Sequence, residues 1–460
     1  MTSPSYVFWR MGVLPPSSEQ REPAAMSAPE FTVEVFQNEY LPVGCREVNA
    51  VVTVTSVGSA DDGPRDGPTD TEDAAEIIIL DCSGSMGPGR QAAKISQARE
   101  AAAAAIDVIR DGVAFAVVAG RRRAWPVYPE DGTMMIASAD TREAARRSLA
   151  QLRPSGGTAI GNWLLAARGV FLTREDRLRH AILLTDGRNG QLPSKLGSAI
   201  RQCEGVFRCD CRGVGTDWKV DELRRISAAL LGTVDIVPDP AGLAADFEAI
   251  MHASMAKQVP DVALRIWTPQ RAAIRFIKQV TPSVEDLTAR RAEHTPQAGD
   301  YPTGAWGNES RDYHLCVEVD PAAPGQEKLA ARISVIQTAA AGPRILGQGL
   351  VRANWTQDDV LSARINRHVA HYTGQAELAE AIQDGLEARR TGDRETATAR
   401  LGRAVALAHE SGNQETARLL AKVVDVADPA TGTIRLKARV ADADEMTLDT
   451  RSSKTVRMRK

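Results

Sequence analysis

Five side chains that carry oxygen stand at three places in the chain, each at the end of an apolar segment or just before a helical one. They are Asp81, Ser83, Ser85, Thr158 and Asp186. Two carboxylates and three hydroxyls form a hard oxygen set, which is the ligand chemistry that Mg²⁺ prefers and that Mn²⁺ also accepts. A cation held by so few anionic ligands keeps much of its positive charge. It would therefore attract a carboxylate from another molecule.

The elements that must bring these residues together alternate between strands and helices from residue 76 to residue 258. Glu76–Leu80 and Ala181–Thr185 are continuously apolar, as strands buried on both faces of a parallel sheet are. Helix-length segments separate the strands, which predicts a doubly wound α/β fold. Because ligands bind outside the carboxyl ends of parallel strands, this fold would place Asp81 and Asp186 at one edge of the sheet.

Three short motifs resemble the parts of the metal-ion-dependent adhesion site of von Willebrand factor type A (integrin I-like) domains. They are DCSGSM at 81–86, GGT at 156–158 and LLTDG at 183–187. The resemblance covers about residues 76–258, and the three motifs occur in the family's order on the expected elements. Nothing in the five ligand positions departs from the family's pattern.

Carried over by position, the resemblance implies that Ser83 and Ser85 bind the metal directly. It implies that Asp81 and Asp186 bind largely through water and that engagement of Thr158 depends on the state of the domain. The residues expected on the partner-binding rim are Gly84, Met86, Gly157, Gly187 and Arg188. No residue is assigned a catalytic role.

The function that the resemblance implies is a protein-interaction module rather than an enzyme. In the family, a partner protein supplies Asp or Glu to the Mg²⁺ or Mn²⁺ ion, and the last helix of the domain shifts in response. The 56 basic and 59 acidic residues nearly balance, which argues against a nucleic-acid-binding coat. We find neither a secretory signal nor an apolar run that would span a membrane, so we expect a cytoplasmic protein of bacterial type. The sequence leaves the oligomeric state open.

Two other interpretations remain open. A metal-dependent phosphatase or hydrolase would use the same cation as a Lewis acid, although no general base is evident near the motifs. A serine nucleophile elbow needs the pattern G-x-S-x-G. Ser85 does not fit this pattern, because Ser83 occupies the position of the first glycine. The second of these interpretations is an adaptor subunit of an ATPase assembly. The ATPase would be a partner protein, because this sequence has no Walker A motif.

The segments on either side of the α/β unit have the period-two alternation of strands. We predict that they form one antiparallel β-sandwich into which the α/β unit is inserted, followed by a small C-terminal helical region. In chain order we expect a disordered leader or over-extended start at 1–30, sandwich strands at 31–57, an acidic Gly/Pro-rich loop at 58–75, the α/β domain at 76–258, the rest of the sandwich at 261–356, tetratricopeptide-like helical hairpins at 358–427 and a polar tail at 428–460.

Two local features carry lesser hypotheses. Thr447 and Thr450 follow the acidic run Asp442–Glu445 in the expected tail, and we hypothesise that a Ser/Thr kinase phosphorylates one of them to create a docking site for an arginine-lined partner. The run Arg121–Arg123 lies between two predicted strands. We interpret it as a solvated hairpin turn in preference to a phosphate-binding patch.

Overall fold

The computed structural model describes residues 29–58, 74–87, 92–175, 178–237, 240–338, 342–455 and 457. Most of the expected leader at 1–30 and of the expected loop at 58–75 lies outside the described residues. The first elements are strands β1 (Glu30–Gln37), β2 (Leu41–Pro42) and β3 (Glu47–Val57). β1 and β3 pair antiparallel, and the alternate side chains of β3 from Val48 to Val54 pack into one apolar core.

The α/β unit follows directly. Its elements are β4 (Ala74–Asp81), α1 (Ala92–Asp107), β5 (Ala114–Gly120), β6 (Ala124–Tyr128), β7 (Met135–Ile136), α2 (Ala139–Ala150), α3 (Ile160–Phe171), β8 (Leu178–Thr185), α4 (Pro193–Cys203), β9 (Arg208–Val214), α5 (Val220–Ala229), β10 (Val234–Val237) and α6 (Leu243–Met255). The strand order is β10-β9-β8-β4-β5-β6, with β7 also pairing with β5. All pairs from β10 to β5 are parallel, and β6 and β7 run antiparallel at the edge.

Helices cover both faces of this sheet because successive strand side chains point to opposite sides. Ile78 and Leu80 of β4 pack into one cluster with α1, α2 and α6. Ile77 and Ile79 pack into a second cluster with α3, α4 and α5, around the buried Trp163. The central strands are therefore buried on both faces, as their continuously apolar sequences predict, and only their ends are free to carry a site.

The chain then completes a β-sandwich around the inserted unit. Its strands are β11 (Val259–Trp267), β12 (Ala273–Thr281), β13 (Glu285–Asp286), β14 (Ala292–Thr295), β15 (Ala298–Trp306), β16 (Glu309–Glu318), β17 (Glu327–Gln337) and β18 (Arg344–Thr356). One sheet has the order β1-β3-β16-β12-β13 and the other β14-β15-β11-β17-β18-β2. Both contribute to one apolar core. The predicted fold class, an α/β unit inserted in an antiparallel sandwich, is confirmed.

The C-terminal region consists of α7 (Asp359–Ser362), α8 (Arg367–Thr391), α9 (Arg394–Glu410), α10 (Gln414–Val423), β19 (Val424–Asp428), β20 (Thr433–Leu436) and α11 (Asp442–Arg451). The similar sequences GDRETA and GNQETA both begin helices. Asp393 accepts a hydrogen bond from the Thr396 amide at 3.0 Å, and Asn413 accepts one from the Thr416 amide at 3.1 Å. None of the helices in the described part of the chain combines the length and the apolarity that a membrane crossing requires.

The expectation of a polar tail at 428–460 is wrong for the residues that the structure describes. This segment contributes β20 and α11, and Leu448 of α11 is fully buried in the core of the helical region. Thr447 and Thr450 are only 7% and 1% exposed, and the Thr447 hydroxyl donates to the Ala443 carbonyl at 2.6 Å. The phosphorylation hypothesis needed a flexible, accessible segment, so the folded chain contradicts it.

Candidate metal centre

Asp81 ends β4 at the carboxyl edge of the parallel sheet, and its carboxylate is fully buried. The Ser83 amide donates to its Oδ1 at 2.8 Å, and the Thr185 hydroxyl donates to its Oδ2 at 2.6 Å. These two bonds fix the orientation of the carboxylate. Burial, with a smaller contribution from the charge of Asp186, raises the pKa of Asp81 to about 6 against the effect of these hydrogen bonds. Hydrogen-bond donors on both of its oxygens thus orient the carboxylate.

Three hydroxyl and carboxyl groups form a chain across the edge of the sheet. The Ser85 hydroxyl donates to Asp186 Oδ1 at 2.6 Å. The Ser83 and Ser85 hydroxyl oxygens lie 2.9 Å apart, within hydrogen-bond distance. β4 and β8 are neighbours in the sheet, which explains how residues about a hundred positions apart in sequence meet here.

Thr158 joins the cluster from the opposite side, and Gly187 shows where the oxygens converge. A Cβ atom at Gly187 would lie 3.0 Å from Ser85 Oγ, 3.2 Å from Thr158 Oγ1 and 3.9 Å from Asp81 Oδ2. Oxygen atoms of two segments, the D-x-S-x-S loop and the GGT loop, therefore converge on Gly187, which lies in a third loop. The structure brings all five predicted ligand residues to this place.

Hydrogen bonds between loops hold this arrangement. The Gly84 amide donates to the Gly156 carbonyl at 2.8 Å, which ties the D-x-S-x-S loop to the GGT loop. The Gly190 amide donates to the Thr158 carbonyl at 2.8 Å. The Gln191 side chain also accepts from the Gly161 amide at 2.8 Å, which caps the first turn of α3. Each ligand loop is thus fixed to another one.

Two functional side chains at the site were missed by the sequence analysis. Thr185 orients Asp81, as described above. Lys94, near the start of α1, donates to Asp186 Oδ2 at 2.8 Å and lies 3.9 Å from an Asp217 oxygen. The sequence signal that could have identified Lys94 is its position in the helix after the D-x-S-x-S motif, because that helix begins at the edge of the sheet where Asp186 lies. Lys94 places a fixed positive charge beside the candidate centre.

The predicted rim residues differ in exposure. Gly84 and Arg188 are exposed and Gly157 is half-buried, so a partner can reach them. Met86 is fully buried in the core beneath the loop, and Gly187 is buried among the ligand oxygens. The assignment of Met86 to the rim is therefore wrong: a thioether is stabilised in an apolar core, where it anchors the loop.

The donor set fits a hard divalent cation. All side-chain donors are oxygens, three of them are uncharged hydroxyls, and both carboxylates are buried. The described residues contain no group of three or more His, Cys, Asp or Glu side chains arranged for a metal. That result is consistent with this site, which relies on hydroxyl groups as well as two carboxylates.

A parallel sheet inserted in a sandwich, with these three motifs at one edge, defines a von Willebrand factor type A protein. The von Willebrand factor type A domain model matches residues 75–236, and the model of the von Willebrand factor type A C-terminal domain matches residues 406–452. A solved von Willebrand factor type A structure from Catenulispora acidiphila is 49% identical, covers 95% of this chain and 99% of its own, and superposes with a TM-score of 0.88. The chain belongs to the von Willebrand factor type A family.

Two more distant proteins are similar over much of the chain. The ArnB paralog VWA2 from Sulfolobus acidocaldarius is 13% identical, with a TM-score of 0.56 over 93% of this chain and 98% of that one, so it shares the fold. An uncharacterized protein of Synechocystis sp. is 24% identical over 304 residues, which are 64% of this chain and 67% of that protein. Von Willebrand factor type A domains are commonly protein-interaction modules rather than enzymes.

Proposed function

We propose that this protein binds partner proteins through a divalent cation held at the candidate metal centre, where an acidic side chain of the partner completes the coordination. The observation that carries the proposal is the convergence of Ser85, Thr158 and Asp81 oxygens on the space beside Gly187. Polar atoms of two loops that converge on a glycine of a third loop need an explanation. A small hard cation supplies one.

Ser83, Ser85 and Thr158 would offer hydroxyl oxygens to Mg²⁺ or Mn²⁺, and Asp81 and Asp186 would supply the negative charge. When bound, the cation presents a positive charge at the sheet edge that an external carboxylate can neutralise. The chain's own residues orient the ligands: Thr185 and the Ser83 amide hold Asp81, and Lys94 holds Asp186. The exposed Gly84 and half-buried Gly157 leave an approach to this edge.

The hydrolase interpretation gains no support from the histidine nearest to the motifs. His180 lies at the opposite end of β8, where its ring nitrogens contact Glu76 Oε2 at 2.6 Å and Asp210 Oδ2 at 2.8 Å. It is buried and engaged on both sides, so it offers no general base to the metal centre. We therefore propose that the protein is an adaptor or regulatory scaffold that acts in the cytoplasm. A subunit of an ATPase assembly is an equally suitable partner to supply the carboxylate.

Titration calorimetry with MgCl₂ and MnCl₂ tests the metal site, with and without saturating acetate as the external carboxylate. The Asp81→Asn variant keeps the shape of the side chain and removes its charge. We expect saturable binding by the unaltered chain and loss of most of the heat in Asp81→Asn. Asp131→Asn is the matched control, since Asp131 is an exposed aspartate in the turn after β6.

Absence of binding to the unaltered chain under both conditions would overturn the proposal. Equal binding by Asp81→Asn and by the unaltered chain would also overturn it, because the cation would then lie elsewhere. Circular dichroism of each variant establishes that the fold is retained before the titrations are compared.

A further inference from the structure

Arginine side chains lie on the loops that surround the candidate metal centre. The turn between β5 and β6 contains Arg121, Arg122 and Arg123, and it directly follows Gly120, which pairs with Asp81 in the sheet. Arg188 directly follows Gly187, whose Cα faces the ligand oxygens. Because carboxyl ends of neighbouring parallel strands share one edge, these arginines are on the same side of the sheet as the ligands.

Arg121 has a structural role. Its Nε donates to the Cys82 carbonyl at 3.3 Å, it also donates to the Arg153 carbonyl, and its guanidinium lies 4.6 Å from the centre of the Trp125 ring. These contacts hold the β5–β6 turn against the D-x-S-x-S loop. The guanidinium of Arg121 is therefore already engaged within the chain.

Arg122, Arg123 and Arg188, which we call the arginine rim, are different. All three are exposed, and none of their guanidinium groups forms an ion pair with a described residue. Arg122 lies beside the GGT loop: its Nε would be 3.3 Å from a Cβ at Gly157, the residue before Thr158. Charges that remain unpaired at the mouth of a binding site attract ligands of opposite charge and select among them.

We propose that the partner segment is an acidic run in a peptide, in which one Asp or Glu binds the metal and flanking carboxylates pair with the arginine rim. This inference rests on the proposed function and names the class of partner. Alternate side chains of an extended peptide lie about 7 Å apart, so residues on either side of the metal-bound one can reach the surrounding loops. Arginine is well suited to this role because its planar guanidinium binds a carboxylate through two hydrogen bonds.

An acidic peptide explains the rim better than a nucleic acid does. Sequence-tolerant binding of single strands uses exposed aromatic rings on which bases stack. At this end of the sheet, Trp163 is 0% exposed and Trp218 is 3% exposed, because both pack in the core, and Trp125 lies against Arg121. The rim offers charge without stacking surfaces.

Two labelled peptides of equal length test the proposal by fluorescence anisotropy in MgCl₂. One is a Gly-Ser peptide with a single central Glu, and the other also has Glu at the second and fourth positions on each side. We expect the unaltered chain to bind the acidic run about tenfold more tightly, which is the effect expected of three exposed charge pairs. The triple variant Arg122→Ser, Arg123→Ser, Arg188→Ser should reduce this ratio to about one.

The matched control is the triple variant Arg364→Ser, Arg394→Ser, Arg418→Ser, which removes the same charge from exposed arginines of the C-terminal region. It should keep the tenfold ratio. Equal binding of both peptides by the unaltered chain, or a ratio that the rim variant does not change, would overturn the inference. Tighter binding of an oligo-dT of the same length than of the acidic run would overturn it as well.

The proposed function and this inference fail in different ways. If calorimetry detects no cation, the proposed function fails, whatever the peptides do. If the cation binds and both peptides bind equally, the metal centre stands and only the role of the arginine rim is refuted. If the acidic run binds equally in MgCl₂ and in EDTA, the inference is refuted, because the metal-bound carboxylate is part of it.

Discussion

The positive charge of Lys94 reduces the net negative charge of the candidate centre to which a cation would bind. Asp81 and Asp186 are the two acidic side chains of the candidate centre, and the Lys94 ammonium, 2.8 Å from Asp186 Oδ2, offsets one of the two charges that their carboxylates can carry. A positive charge this close opposes the binding of another cation, although it also holds Asp186 in place. The electrostatic effect is the larger one because Lys94 and Asp186 are mostly shielded from solvent, with side chains 14% and 0% exposed.

We therefore predict that Lys94→Met binds Mg²⁺ more tightly than the unaltered chain, by about tenfold. Methionine keeps the length of the side chain and removes the charge. Calorimetry at constant ionic strength measures the change. Weaker binding by Lys94→Met would show that the lysine acts mainly as a support for Asp186.

Gly187 tests the space among the oxygens by adding one carbon atom. In Gly187→Ala the methyl group would meet Ser85 Oγ at 3.0 Å and Thr158 Oγ1 at 3.2 Å, where the cation is expected. We predict a folded protein whose affinity for Mg²⁺ falls by tenfold or more. In the control Gly374→Ala, on α8, the added methyl group meets no atom within 4 Å and should stabilise the helix slightly. Unchanged affinity in Gly187→Ala would place the cation outside this space.

At the scale of the elements, a buried carboxylate of α11 contacts arginines of two other helices. Asp449 is 3% exposed, accepts a hydrogen bond from Arg224 of α5 at 2.7 Å, and also pairs with Arg390 of α8. The aspartate thus joins the C-terminal helix both to the α/β unit and to the helical region. Both arginines are partly exposed, so solvent screening reduces the value of each pair.

We predict that Asp449→Ala loosens α11 and lowers the free energy of unfolding by about 2 kcal/mol. Hydrogen exchange should increase in residues 442–455 and remain unchanged in β4 and β8. Asp442→Ala, in the exposed first turn of the same helix, is the control and should have a much smaller effect. Equal exchange in the two variants would mean that the arginine pairs do not hold the helix.

The sequence predicted those elements whose cause is local. Continuous apolar runs indicated β4 and β8, and the helix-length segments between the strands indicated the helices of the α/β unit. α11 was missed because its sequence is polar and its stabilising partner Arg224 lies 225 positions away in the chain. The two-residue strand β2 was missed because it exists only through pairing with β18, which is distant in the chain.

Part of the candidate site was predictable, because its signals are also local in the sequence. The five ligand positions follow from motifs at strand and helix ends, and the structure brings them together. Thr185 and Lys94 could not be assigned, because their roles depend on which atoms face Asp81 and Asp186 after folding. The burial of Met86 likewise depends on how the loop after β4 returns to the core.

At the scale of the whole molecule, a buried polar network lies at the end of the parallel sheet opposite the metal centre. His180 of β8 contacts Glu76 and Asp210, and the Ser254 hydroxyl of α6 donates to Glu76 Oε1 at 2.7 Å. Burial by itself lowers the pKa of His180, but the two carboxylates outweigh it and raise the pKa to about 9. The histidine is therefore charged in the folded protein at neutral pH.

This pKa predicts a pH dependence. A histidine with a pKa raised from 6.5 to about 9 contributes stability that is fully present below pH 6.5 and is lost as the pH rises through 9. His180→Gln removes the positive charge that lies between two buried carboxylates, so we predict destabilisation by about 3–5 kcal/mol near neutral pH. Thermal unfolding should show that the difference between the unaltered chain and His180→Gln shrinks from pH 6.5 to pH 9. A difference that stays constant over this range would contradict a charged His180.

The C-terminal residues join the three parts of the molecule. Arg451 lies 3.1 Å from Asp235 of β10, and the Val284 amide of the sandwich donates to the Ser453 carbonyl at 2.7 Å. The C-terminal segment thus contacts both the α/β unit, at β10, and the sandwich.

The most direct test of the metal-dependent binding proposed here is the anomalous diffraction of crystals grown with MnCl₂ and the acidic-run peptide. We predict a manganese peak bordered by oxygens of Ser83, Ser85 and Thr158, with a peptide carboxylate as a further ligand. A peptide bound elsewhere, or no peak at these residues in saturating MnCl₂, would contradict it.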